Sequence, residues 1–285
     1  VGPIKRPIVV AGAALALVVA IAAAAPATAR AQVPEVELDA VPEYTAVHAG
    51  STFRVAVRLR VPEGWHIGWV NPGGGGLPTT MAWQVPVGVT VDRVEWPYPE
   101  TDESGGQVSI VYRGTVVLFA TFEPSPGLAG SVRLSAELSW GLCSTECTRQ
   151  QRRVAVSLPV APGAGALTRT RRWPDVELAL RALPVRVKPG AVRAVPSADG
   201  VRLVMAGLPA GPGPGSWLTF FPLEPGRPSV VTQAQGVAEG VAVMLPRAVL
   251  SGGPAGQLSG VLVAEHAAGS APRTRPLLVN VPIRR

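Results

Sequence analysis

Phe53-Arg54-Val55-Ala56-Val57-Arg58-Leu59-Arg60-Val61 sets Phe53, Val55, Val57, Leu59 and Val61 against Arg54, Arg58 and Arg60 at alternating places. A period of two is that of a strand with one buried and one wet face. The pattern returns at residues 131–140, where Val132, Leu134, Ala136, Leu138 and Trp140 alternate with Arg133, Ser135, Glu137 and Ser139. Residues 114–122 carry more adjacent apolar side chains, which suits a strand buried on both faces. Val154, Val156 and Leu158 continue the set, and Gly and Pro punctuate it throughout. Many short strands separated by such turns predict an all-β chain built from β-sandwiches.

Further along, residues 159–170 are rich in Pro, Gly and Ala and read as a linker. A short helix is expected over residues 174–182. Pro174 suits its first position, Asp175 and Glu177 favour its N-terminal end, and Pro184 stops it. Strands then return at residues 201–206, 216–221, 241–245, 260–264 and 277–281, with a Pro/Gly loop at 209–215. This half holds no Cys, and its one His is His266. It reads as a second sandwich without chemistry of its own. The expected organisation is a leader over 1–31, a sandwich over 32–160, and the linker, helix and second sandwich over 161–285.

The leader follows from Lys5 and Arg6, an apolar run over residues 8–24, and Ala29-Arg30-Ala31 at cleavage-site spacing. The alternative is an uncleaved N-terminal anchor, since the run is nearly long enough to span a bilayer. Both place the remainder outside the cytoplasm, where disulfides persist. The chain starts with Val, so an alternative start or an incomplete sequence is expected. Removing Lys5, Arg6 and Arg30 with the leader reduces the formal charge from +7 to +4. The remaining arginines form no stripe interleaved with aromatics, so nucleic-acid binding is not expected.

Chemistry concentrates in Trp140-Gly141-Leu142-Cys143-Ser144-Thr145-Glu146-Cys147, which contains both cysteines of the chain. Positions four apart on one strand are separated by about 13 Å, whereas bonded cysteines have Cα atoms within about 7 Å. A bonded pair therefore needs a turn between its members, with a strand ending near Trp140 and a return strand through Val154. Three readings stay open. A passive staple is weak, because loop-entropy stabilisation is least for short loops. A reversible redox pair suits a small ring. Metal binding lacks ligands, with only His48, His66 and His266 and widely spaced Met81, Met205 and Met244. Glu146 disfavours a thiolate at Cys147, and Arg149 opposes it. The Gly73–Gly76 run lacks the Lys and Ser/Thr of a phosphate cradle and reads as a loop between strands.

Gly64-Trp65-His66-Ile67-Gly68-Trp69-Val70-Asn71-Pro72-Gly73, followed by Gly76-Leu77-Pro78, resembles a segment of DsbD-like N-terminal periplasmic domains, in particular the suppressor-of-copper-sensitivity variant. Glu95-Trp96-Pro97-Tyr98-Pro99-Glu100, Val111-Tyr112-Arg113-Gly114 and the Trp140…Cys143…Cys147 spacing follow in the same order. Together they cover most of residues 40–158. Phe220-Phe221-Pro222 is the landmark for the β-rich domain that follows in this variant.

The resemblance implies an immunoglobulin-like sandwich and, as exchanging pair, Cys143 and Cys147. A membrane-embedded DsbD-type donor would reduce the pair, which would pass electrons to periplasmic thioredoxin-fold proteins. Cytochrome c biogenesis and copper tolerance are the settings it implies. No cofactor is implied beyond the redox-active disulfide, and no metal. His66, Glu100 and Trp140 are the implied neighbours of the pair. A cap over the disulfide would fall at residues 100–107, which carry no aromatic side chain. The membrane and Cys-x-x-Cys domains that follow in DsbD are not in the 285 residues, so the expectation is a separate membrane donor if the chain is complete, or those domains downstream if it is a fragment. Trp65, Trp69, Trp83 and Trp96 read as packing residues. The alternatives are a non-catalytic partner-binding sandwich with a structural disulfide, and thiol-based copper handling.

Overall fold

The computed structural model describes Gly2 and residues 33–74, 76–103, 108–163, 165–205, 217–224, 231–234, 241–246, 256–265 and 274–283. Among these residues, ten strands precede a helix: β1 (Glu37–Pro42), β2 (Phe53–Arg60), β3 (His66–Gly73), β4 (Thr80–Gln84), β5 (Val89–Glu95), β6 (Glu100–Asp102), β7 (Ser109–Tyr112), β8 (Thr115–Pro124), β9 (Ser131–Cys143) and β10 (Cys147–Pro159). They form a four-stranded sheet, β1-β2-β8-β5, and a six-stranded sheet, β10-β9-β3-β7-β6, in which β4 also pairs with β9.

The alternation in the sequence becomes the core between these sheets. Val57 and Leu59 from β2 and Leu118 from β8 meet Trp69, Ile110, Leu138, Trp140 and Leu142 from the other sheet. Phe53, Val55, Phe122, Val132 and Leu134 continue the core toward its other end. The architecture is all-β and immunoglobulin-like.

One expectation needs correcting. The second face of β2 is wet only toward its ends: Ala56 is fully buried and Arg58 is 8% exposed, whereas Arg54 is half-buried and Arg60 exposed. The cause is α1 (Pro174–Ala182), which packs on the outside of the four-stranded sheet. Trp173, Val176 and Leu183 join Val41, Ala56, Val117 and Phe119 in a separate apolar cluster. Arg58 keeps its charge there by donating two hydrogen bonds to Asp39, at 3.0 and 2.9 Å. Arg172, just before the helix, also pairs with Asp39. The helix has the bounds the sequence predicts, with Pro174 in its first turn and Leu183 leaving in extended conformation. Upstream, the segment read as a linker is hydrogen-bonded along residues 43–47: Thr45 N donates to Thr168 O, and Thr170 N to Glu43 O.

The second half contributes β11 (Val185–Arg186), β12 (Val192–Ser197), β13 (Gly200–Met205), β14 (Trp217–Pro222), β15 (Val231–Ala234), β16 (Val241–Pro246), β17 (Gln257–Glu265) and β18 (Leu277–Pro282). They form a five-stranded sheet, β11-β18-β17-β14-β15, and a three-stranded sheet, β12-β13-β16. The sequence reading missed β11, β12 and β15. The two halves share a core: Phe221, Val261 and Val263 lie in the same cluster as Trp69 and Leu138. The Trp69 and Phe221 rings meet edge-on at 6.2 Å. Buried Asn71 donates to the Pro222 carbonyl at 2.8 Å.

The expected leader, apart from Gly2, and His266 lie outside the described residues. No helix among the described residues is long and apolar enough to cross a membrane.

Candidate functional site

The long β9–β10 hairpin builds the site. Its register pairs Ser131 with Pro159 and continues without a bulge to Cys143 opposite Cys147. Both strands reach the cysteines themselves, three residues beyond the expected strand end near Trp140. Only Ser144, Thr145 and Glu146 make the turn, closed by Ser144 N donating to Glu146 O at 3.0 Å. Cys143 and Cys147 are bonded, with Cα atoms 4.1 Å apart. They are directly opposed on the ladder, where side chains project to the same face. The turn between them that spacing demanded is this one.

The two sulfurs differ in environment. Cys143 is 4% exposed, whereas Cys147 is on the open edge strand and exposed. Two groups adjoin Cys143 on the sheet. Its second cross-strand partner is His66, the first residue of β3. Two residues before it, Gly141 lies under Leu77, so close that a β-carbon on Gly141 would sit 3.0 Å from Leu77 Cβ. Gly68 admits the same segment, since a β-carbon there would be 2.2 Å from the Leu77 carbonyl oxygen. Thr79 fastens it, with Oγ1 donating to Gly68 O at 2.5 Å. Leu77 thus rests on the sheet at Gly141, two residues before Cys143.

His66 belongs to a charged group. Its Nδ1 is 3.4 Å from Oδ2 of Asp102 on β6. The same carboxylate pairs with Arg113, which also reaches Glu100 at 3.6 Å. The His66 and Asp102 side chains are 15% and 10% exposed. Burial pushes His66 below its ordinary value of 6.5; Asp102 opposes this and Arg113 adds to it. The imidazole is therefore neutral at pH 7, with Nδ1 toward the carboxylate.

Of the implied neighbours, His66 is the cross-strand partner of Cys143. Glu100 enters only through Arg113, with β7 and β3 between it and the cysteine strand. Trp140 is on the opposite face of β9 by alternation, buried in the core, its Nε1 donating to Gln150 Oε1 at 3.3 Å. Residues 104–107 of the expected cap lie outside the described residues. The sequence reading missed Asp102, Arg113 and Leu77. Strand alternation through Glu100-Thr101-Asp102 was the available signal for Asp102, because it sends both acids to one face. Among the described residues, no three His, Cys, Asp or Glu side chains are grouped to hold a metal ion.

Residues 35–159 match the family profile described as thiol:disulfide interchange protein DsbD, N-terminal. The fold is similar to that of the N-terminal periplasmic domain of ScsB from Proteus mirabilis, at 15% identity and a TM-score of 0.51, over 87% of this chain and 93% of that one. The reduced DsbD N-terminal domain of Neisseria meningitidis aligns with 46% of this chain and 90% of its own, at 16% identity and a TM-score of 0.25. The GAE domain of GGA2p from Saccharomyces cerevisiae aligns at 13% identity and a TM-score of 0.28, over 44% of this chain and 91% of its own. No curated protein sequence matches the chain.

Proposed function

We propose that this chain, whose residues 35–159 form a domain of the DsbD N-terminal family, is a periplasmic thiol–disulfide relay. It takes reducing equivalents from a membrane-embedded donor of the DsbD type and passes them to thioredoxin-fold proteins. The observation that carries this reading is the asymmetric disulfide at the hairpin tip, with Cys147 open and Cys143 covered.

Exchange proceeds by in-line attack of a thiolate on one sulfur. Access makes Cys147 Sγ the attacked atom. A donor thiolate bonds to it, the Cys143–Cys147 bond breaks, and Cys143 leaves as a thiolate. The donor's second thiolate then attacks its own sulfur in the mixed disulfide and releases the Cys147 thiolate. Two electrons have entered the chain and the donor is oxidised. Run toward an oxidised thioredoxin-fold protein, Cys147 attacks and Cys143 resolves. The staple reading gains little support, because thirteen register pairs already hold β9 to β10.

The test is trapping. Cys143→Ser, which keeps the attacking thiol and lacks the resolving one, is expected to accumulate a mixed disulfide with a thioredoxin-like protein on a non-reducing gel. Cys147→Ser is expected to trap at least tenfold less. Failure of both variants to trap, with a wild-type disulfide that such proteins leave oxidised, ends the relay reading.

A further inference from the structure

Arg113, His66, Cys143 and Cys147 follow one another across four strands or strand ends of the six-stranded sheet. Ile67 is opposite Tyr112, which brings Arg113 alongside His66, and His66 and Cys147 both pair with Cys143. Directly opposed side chains have Cβ atoms about 5 Å apart. The imidazole thus neighbours the buried sulfur, and Asp102 engages its Nδ1 from the other side.

Resting on the relay reading, we propose that His66 is the proton acceptor for Cys143, and that Asp102, itself held by Arg113, positions it. In the reduced chain, Cys147 as thiolate attacks a partner disulfide, forming a mixed disulfide and expelling one partner thiolate. Cys143 is still a thiol, buried where its thiolate is costly. Its proton passes to His66 Nε2, giving imidazolium and thiolate. The thiolate attacks Cys147 Sγ, the intramolecular disulfide forms, and the partner's second thiolate leaves and takes the proton from the imidazolium. The partner disulfide gains two electrons and the Cys143/Cys147 dithiol loses them.

The charged surroundings fit this role. From β6 and β7 the ring faces Asp102, Arg113 and, through Arg113, Glu100. From the hairpin it faces the two cysteines, with Glu146 and Arg149 flanking Cys147 in the chain. Burial keeps the imidazole neutral at pH 7, so Nε2 is free to accept, and the neighbouring carboxylate stabilises the imidazolium once formed.

Rapid mixing of the reduced full-length chain with 4,4′-dithiodipyridine tests this without a protein partner. The first thiopyridone released measures attack by Cys147, and the second measures resolution by Cys143. His66→Gln is expected to slow the second phase roughly 100-fold at pH 7, the lower end for a positioned base, and to abolish its downward bend at acidic pH. Asp102→Asn removes a group that raises the His66 value, so the bend moves to lower pH while remaining visible. A second phase with wild-type rate and pH profile in His66→Gln overturns the proposal. So does equal slowing of both phases, which marks a structural effect. Failure of wild-type dithiol to reduce thioredoxin-fold proteins overturns the relay instead, and leaves these phases to be judged separately.

Discussion

At Gly68 any β-carbon collides with main chain: the Leu77 carbonyl oxygen would be 2.2 Å away. Backbone atoms cannot rotate aside as a side-chain end can. Gly68→Ala is therefore expected to lower stability by about 2–3 kcal/mol, in the overpacking range, and to displace Leu77 from Gly141. Denaturant unfolding measures the first effect. The second shows as faster reduction of the disulfide by a small thiol, several-fold above wild type. An unchanged reduction rate in a destabilised variant means that Leu77 does not shield the pair. At this scale the cysteine pair was legible from type and spacing, and His66 as its neighbour only through the family resemblance. Leu77 was not, because a Gly-rich run between strands looks like slack chain until the two glycines that receive it are seen to be Gly68 and Gly141. Arg113 and Asp102 were hidden for a similar reason. Their pairing depends on a three-residue strand, too short for the alternation of its two acids to stand out from the loop around it.

Among the elements, the helix was the one most completely specified locally, since Pro174, Asp175, Glu177 and Pro184 mark its ends. What it covers was not specified. Arg54, Arg58 and Arg60 look alike in sequence, yet only Arg58 is buried. The difference lies in which stretch of the sheet α1 happens to roof. Strands β3 to β7 were missed because glycines, prolines and a register shift between Gly68 and Gly73 interrupt their alternation. The roof gives a pH prediction. Burial alone would raise the Asp39 carboxyl, but hydrogen bonds from Arg58 and Arg172 outweigh it and hold it below its ordinary 3.8. A depressed folded value means the stabilisation is present above the ordinary value and is lost as pH falls through the folded one. Asp39→Asn is expected to cost about 1–2 kcal/mol at pH 7, between exposed and buried pairs. Urea unfolding at a series of pH values should show the gap to wild type closing below pH 3.8. A gap that persists there assigns the cost to packing.

Over the whole molecule, neighbouring phenylalanines divide their loyalties. Phe220 packs into the core of the second half, and Phe221, on the opposite face of β14, packs against Trp69 in the first. Phe221→Ala is expected to lose about 3–5 kcal/mol. Because the cluster is common to both halves, calorimetry should show one unfolding transition, with its midpoint lowered as a whole by the substitution. Two separated transitions in the wild type contradict this coupling. The sandwich class was legible from strand periodicity, but a shared core was not, since each half's alternation is satisfied by its own two sheets. The hairpin has a further consequence. Its pairing from Ser131 with Pro159 up to Cys143 with Cys147 is made by backbone hydrogen bonds, which do not involve the sulfurs. On the proposed relay role, opening the bond by rotation about two Cα–Cβ bonds would leave the charged and the spent carrier with nearly the same outline. Shape would then give no signal for departure. Used visitors would compete with fresh ones for one landing face, and under crowded conditions throughput would be set by how fast the used ones leave.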